Sequence, residues 1–166
     1  MKLRFPHQTD SQDVITSQLF DQDSFYQKFL KDVANCQREL IIECPFMTGR
    51  RVGYLLPALE KLAHRGCRIV VNTKHPDEQE DYLRNEAITA LSLLKKAGVI
   101  VLFTGGHHRK LAILDRQILY EGSLNILSQN DSCEIMRRIN SSLMSQQMVE
   151  FLGIKRFMPN GEVPML

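Results

Sequence analysis

Between Phe25 and Phe103 the chain alternates, three times over, a stretch with apolar residues at helical spacing and a short apolar run. Few folds accept that rhythm. Phe25, Phe29, Val33 and Cys36 in "DSFYQKFLKDVANC" predict a helix with one buried face, capped at Asp23 or Ser24. "ELIIECPF" then predicts a buried strand stopped by Pro45. "TGRRVGYLLPALEKLAHRG" carries Val52, Leu55, Leu56, Leu59 and Leu62 on a second helix, with Pro57 as a kink and Gly66 at its end. "CRIVVNTK", a helix over roughly Glu80 to Ala97, and "VIVLFTG" repeat the cycle. Helical crossovers between strands require a largely parallel sheet covered on both faces.

After Gly105 the rhythm changes. "HRKLAILD" and "RQILYEGS" follow one another with little between them, "EIMRRI" reads as a further strand, and "SSLMSQQMVEFLGIKRFM" as a closing helix. The expected fold class is therefore α/β: a mixed, largely parallel sheet flanked by helices, with antiparallel strands added late. A chain of 166 residues buries a sufficient core as one domain, expected to span 1–166 with an irregular tail from about 159.

Hydrophobic residues make up 43% and charged residues 24%, which excludes a disordered chain. The net charge of +2 does not itself indicate nucleic acid, but its distribution is uneven. Arg50, Arg51, Lys61, Arg65, Arg68 and Lys74 face only Glu60 within their stretch, and an acidic run from Asp77 to Asp81 follows. Such a patch suits a polyanion; a solvated helix face is the plainer reading. Cys36, Cys44, Cys67 and Cys133 show no metal-ligand spacing, and three lie in or beside apolar runs, so buried reduced thiols are expected. No leader-type apolar segment opens the chain and no apolar run approaches bilayer length, so a cytoplasmic location without stable membrane association is expected.

"HHRKLAILDRQILYEGSLNILSQNDSCE", from His107 to Glu134, is unusually polar for a strand pair. Alternation in a strand would set His108 and Lys110 on one face and Arg109, Leu111, Ile113 and Asp115 on the other, while Ser123 and Asn125 share a parity. An imidazole, an ammonium, a hydroxyl and an amide converging on one spot suit a phosphodiester: the imidazole attacks phosphorus or moves a proton, and the others hold non-bridging oxygens.

The order H-x-K-x4-D-x6-G-S-x-N, from His108, Lys110 and Asp115 to Gly122, Ser123 and Asn125, resembles the signature of the phospholipase D superfamily. Its members include phospholipases, phospholipid synthases and metal-independent nucleases. Six fixed residue types match by chance on the order of once in a million chains of this length. The resemblance implies that family's fold over nearly the whole chain. It implies His108 as nucleophile or as the acid for the leaving oxygen, Lys110 and Asn125 on the phosphate, and Ser123 in support. Glu134 would be the carboxylate that orients the histidine, and Asp115 would organise the site without touching phosphate. Gly122 is expected to permit close backbone approach. His107 falls outside the pattern and reads as a surface or supporting histidine.

The family's site uses two such motifs, whereas this chain has one and no second H-x-K. Single-motif members form homodimers with the site on the two-fold axis, so a homodimer is implied, with His108 facing its own copy. No clustered carboxylates suggest a two-metal mechanism, so neither metal nor cofactor is expected. "GSLNILS…EIMRR" resembles the branch attached to restriction systems and helicases, which would supply partner components, and DNA is favoured over RNA as substrate. Arg138, sharing a face with Glu134, could reach a neighbouring phosphate, as could Arg50 and Arg51; an exposed Arg137–Arg138 pair is the plainer reading. Two alternatives remain: a phospholipid phosphodiesterase or transphosphatidylase, and a non-catalytic nucleic-acid-binding module.

Overall fold

The computed structural model describes residues 15–128 and 131–154. The expected tail from 159, the end of the closing helix and the opening residues lie outside the described residues. Seven strands, β1 (Thr16–Asp21), β2 (Glu39–Glu43), β3 (Arg68–Thr73), β4 (Ile100–Phe103), β5 (Leu111–Leu114), β6 (Ile118–Gly122) and β7 (Ile135–Asn140), form one sheet in the order β1-β7-β6-β5-β2-β3-β4. β2, β3 and β4 pair in parallel, while β5, β6, β7 and β1 add on antiparallel. Five strands thus point one way and β5 and β7 the other, the mixed sheet that the alternation predicts.

Helices α1 (Phe25–Asn35), α2 (Gly49–His64) and α3 (Asp81–Lys96) bury Phe25, Phe29, Leu55, Leu59 and Leu94 against Leu40, Ile42 and Val71 on one face. α4 (Ser142–Leu152) lays Val149 and Leu152 on Ile41, Val70, Ile113 and Ile139 of the other. α2 runs through Pro57 to His64 and ends beside Gly66, as the spacing predicts. β1 has no counterpart in the sequence reading. It is an edge strand, exposed along most of its length, held by main-chain pairing to β7. Cys36, Cys44 and Cys67 are buried free thiols, as expected, and Cys133 is exposed.

The parallel strands end, β5 and β7 begin, and β6 and β1 end at one edge of the sheet, here the upper edge. The lower edge is held by acids. Asp115 and Arg116 make the β5–β6 turn at φ 52° and 55°, a left-handed pair matching a type I′ hairpin turn. The Asp115 carboxylate accepts the main-chain N–H groups of Gln37 (2.8 Å), Arg38 (2.7 Å) and Glu39 (3.0 Å), fixing the start of β2. This corrects the expectation for Asp115: it sits at the end of β5 opposite to His108 and organises a strand start, not the site. Glu39 pairs with Arg68 and Arg116.

The basic stretch is divided by the same geometry. α2 starts at the upper edge with Arg50 and Arg51 and runs down to Lys61 and His64, and Arg68 is committed to Glu39. Arg65 donates to the carbonyls of Ala34 and Cys36. Lys61, Arg65 and Arg68 therefore do not line one polyanion track with Lys74.

Burial raises the carboxyls of Asp32, Glu39 and Asp115, but their hydrogen bonds and cationic partners outweigh it and hold all three below their ordinary values of 3.8 for Asp and 4.5 for Glu. The unfolded chain therefore binds these protons more readily. The stability they contribute is complete above the unfolded values and is lost as pH falls through the folded ones. The urea midpoint is expected to drop steadily between about pH 5 and pH 2.5. A midpoint constant over that range would contradict the assignment.

Candidate active site

Of the six motif residues, His108, Lys110, Gly122, Ser123 and Asn125 lie at the upper edge, and Asp115 at the lower. β5 starts at Leu111, so residues 107–110 approach the sheet as irregular chain instead of alternating as a strand. What fixes them lies beneath. Glu43, fully buried at the end of β2, accepts from Arg109 Nε at 2.6 Å and from Asn72 Nδ2 at 2.9 Å. Asn72 in turn accepts from the Thr104 hydroxyl at 3.0 Å. His107 is buried, its Nε2 3.5 Å from Glu43 Oε2, which corrects the surface alternative for this residue. Burial lowers the His107 pKa despite the Glu43 carboxylate, and Arg109 lowers it further. His107 and Arg109 thus point down into a charged anchor while His108, between them, is exposed.

Lys110 donates to the carbonyl of His108 at 3.1 Å, and its own carbonyl accepts from Gly122 N–H at 3.3 Å, just beyond the β5–β6 ladder. That bond sets Lys110 beside the turn carrying Ser123 and Asn125. Ser123 is tied to β7 twice: its N–H donates to the Ile135 carbonyl (2.9 Å) and its Oγ accepts from Ile135 N–H (3.1 Å). Asn125 is half-buried, and its Oδ1 is buried with no hydrogen-bond partner among the described residues. Gly122 is required by β7: an added Cβ would stand 2.1 Å from the Ile135 carbonyl oxygen. The close backbone approach expected at Gly122 is that of the neighbouring strand β7.

Other expected site residues lie elsewhere. Glu134 accepts from the Ser132 hydroxyl at 2.8 Å and donates its N–H to Gln22, with no hydrogen bond to His108. Arg138 donates to Asp32 at 2.6 Å with a side chain only 12% exposed, and Asp32 also accepts from Tyr120. It belongs to the packing of α1 on the sheet, so both the phosphate role and the exposed-pair reading are corrected for it. Arg137 is exposed and donates to Ser17. Arg50 is exposed in the first turn of α2, and Arg51 stacks its guanidinium 4.1 Å from the Tyr26 ring.

Two groups at the edge went unread in the sequence. Glu43 was hidden in an apolar strand, although a carboxylate closing the run "LIIE" is itself a signal of a buried partner. Lys74 was counted as one of a charge run, yet its Nζ lies 3.2 Å from His108 Nε2. On the α4 side, an open groove of about 510 Å³ is lined by Lys110, Arg109, Leu111, Gly122, Arg137 and Phe151. Among the described residues no group of three or more His, Cys, Asp or Glu is placed to hold a metal ion, and no helix is long and apolar enough to cross a membrane.

Residues 29–153 match the family model described as cardiolipin synthase, PLD-like domain. No curated protein matches the chain by sequence. Among solved structures it is similar to Nuc, a phospholipase D family member from Salmonella typhimurium (TM-score 0.69, 15% identity, 84% of this chain and 92% of that one). It is likewise similar to NucT from Helicobacter pylori (TM-score 0.67, 16% identity, 84% and 94%). Phosphatidylserine synthase from Haemophilus influenzae Rd KW20 gives a TM-score of 0.64 at 15% identity, over 87% of this chain but 39% of the synthase.

Proposed function

Because the chain belongs to the phospholipase D superfamily, we propose that it is a metal-independent phosphodiesterase that cleaves nucleic acid, DNA in preference to RNA, at a site shared by two copies. The observation that carries this reading is the exposed His108 imidazole held over a buried anchor, with Lys110 and the Asn125 turn beside it. His108 Nε2 attacks phosphorus, forming a P–N bond as the bond to the leaving oxygen breaks. The second copy of His108 protonates that oxygen. It then takes a proton from water as the water attacks phosphorus and releases His108. Lys110 and Asn125 neutralise and hold the non-bridging oxygens as charge builds on them.

Two observations support the shared site. The chain carries one motif, and the groove beside Lys110 is bordered by exposed apolar side chains: Leu19 (54%), Ile135 (50%) and Phe151 (77%). An isologous contact over this face would cover them and bring the two Lys110-bearing edges together. The chain spans most of Nuc and NucT but less than half of the synthase.

The purified protein, given labelled single- and double-stranded DNA, RNA and phosphatidylcholine in EDTA, is expected to cleave a nucleic acid at a rate within about twofold of that in magnesium. Loss of activity in EDTA with recovery on adding magnesium would overturn the mechanism. Cleavage of phosphatidylcholine alone would move the reading to the lipid alternative.

A further inference from the structure

Lys74 lies outside the motif, yet it is the side chain in contact with the reactive nitrogen of His108. Its position is built. Cys44 N–H donates to the Asn72 carbonyl, the buried Thr73 hydroxyl donates to the Pro45 carbonyl at 3.3 Å, and Thr104 N–H donates to the Thr73 carbonyl at 3.0 Å. These bonds tie the ends of β2, β3 and β4 beyond their ladders, so Phe46 and Lys74 emerge side by side. The ammonium stands 5.0 Å over the Phe46 ring, and Phe46 meets the His108 ring edge-on at 6.2 Å. The nearby acids have other partners: Asp77 pairs with Arg84 and His75, and Glu78 accepts from Gly106 N–H.

An ammonium has only donors, so in the copy that attacks, the 3.2 Å contact makes Nε2 the acceptor and leaves the imidazole proton on Nδ1. The attacking lone pair is therefore covered by Lys74 before substrate arrives, and Lys74 has to leave for P–N bond formation. Its long flexible stem allows this at little cost. Lys110 and Asn125 approach the site from the β5 and β6 side, whereas Lys74 comes from β3, across His108. The scissile phosphate thus has its cation on one side, and Lys74 is free to take charge on the other.

We propose that Lys74 is a specificity-determining residue: when a diester displaces it from His108, it binds the phosphate next to the scissile one in a polyanionic strand. This rests on the nucleic-acid reading above. A zwitterionic lipid offers a single phosphate and a cationic headgroup, so it gains nothing from this ammonium.

The test uses a thymidylate tetramer and the same tetramer with neutral methylphosphonate linkages on both sides of the central diester. Lys74→Gln should lower kcat/KM on the all-phosphate tetramer about tenfold, mainly through KM, and reduce the salt slope by about one. The loss on the neutral-flank tetramer should be at least about threefold smaller, and Lys74→Arg should recover most of the activity. Equal losses on both tetramers, as expected if Lys74 only positions His108, would overturn the inference and leave the nucleic-acid reading standing. No loss on either would do the same. If the wild type cleaves neither tetramer but hydrolyses bis(p-nitrophenyl) phosphate, the nucleic-acid reading falls and takes this inference with it.

Discussion

Replacing His108 by asparagine should abolish turnover, by about four orders of magnitude or more, while leaving the fold and the oligomeric state intact. The imidazole is exposed, so its loss opens no core cavity, and the Glu43–Arg109–His107 anchor that shapes residues 107–110 is untouched. Asparagine fills similar space but cannot form the P–N bond. Lys110→Ala should cost about two to three orders of magnitude through lost charge neutralisation at the phosphate. Both histidine forms are needed in one catalytic pair, neutral to attack and protonated to supply the leaving oxygen. One imidazole must have lost its proton while the other keeps it, so the rate profile should be bell-shaped, its two limbs belonging to the pair. A monotonic profile, or a His108→Asn protein retaining more than about one per cent of activity, would contradict these roles.

The second large effect is structural. Gly122→Ala would drive a Cβ to 2.1 Å from the Ile135 carbonyl oxygen and 2.9 Å from Met136 Cα, both main-chain atoms of β7. Main chain cannot swing aside as a long side chain can, so β6 and β7 must part. That separation breaks the pair of bonds between Ser123 and Ile135 that hold the turn to Asn125. A loss of about 3 kcal/mol, or a fall in Tm of roughly 6–12 °C, should accompany the loss of activity. An unchanged Tm would mean that β7 does not approach β6 as closely as described.

Much of this architecture was legible because its core elements carry strong periodicity. Phe25, Phe29 and Val33, or Leu55, Leu59 and Leu62, are buried at the spacing that predicts them. β1 was not legible: a strand exposed on most of its residues has no apolar alternation to read, and its main-chain bonding leaves no mark on composition. The motif singled out His108, Lys110 and Asn125, and parity rightly parted His107 and Arg109 from His108, but residues 107–110 are not a strand: Glu43, bonded to Arg109 and facing His107, fixes them in place of a ladder. Arg138 illustrates the opposite limit. Its partner Asp32 is 106 residues away in sequence, and only folding brings the two to 2.6 Å. Local spacing marks residue types and faces, while long-range charge pairing decides which polar groups remain available for chemistry.

The central claim is that two copies of one His108 make one catalyst. Mixing wild-type protein with differently tagged His108→Asn protein, and isolating the heterodimer, isolates a site with a single imidazole. Such a heterodimer should fail to complete the cycle, either inert or stalled as a trapped phosphohistidine, while reassorted wild-type dimers regain full activity. A heterodimer that keeps half the wild-type activity, or a monomer that turns over at working concentration, would contradict the shared site.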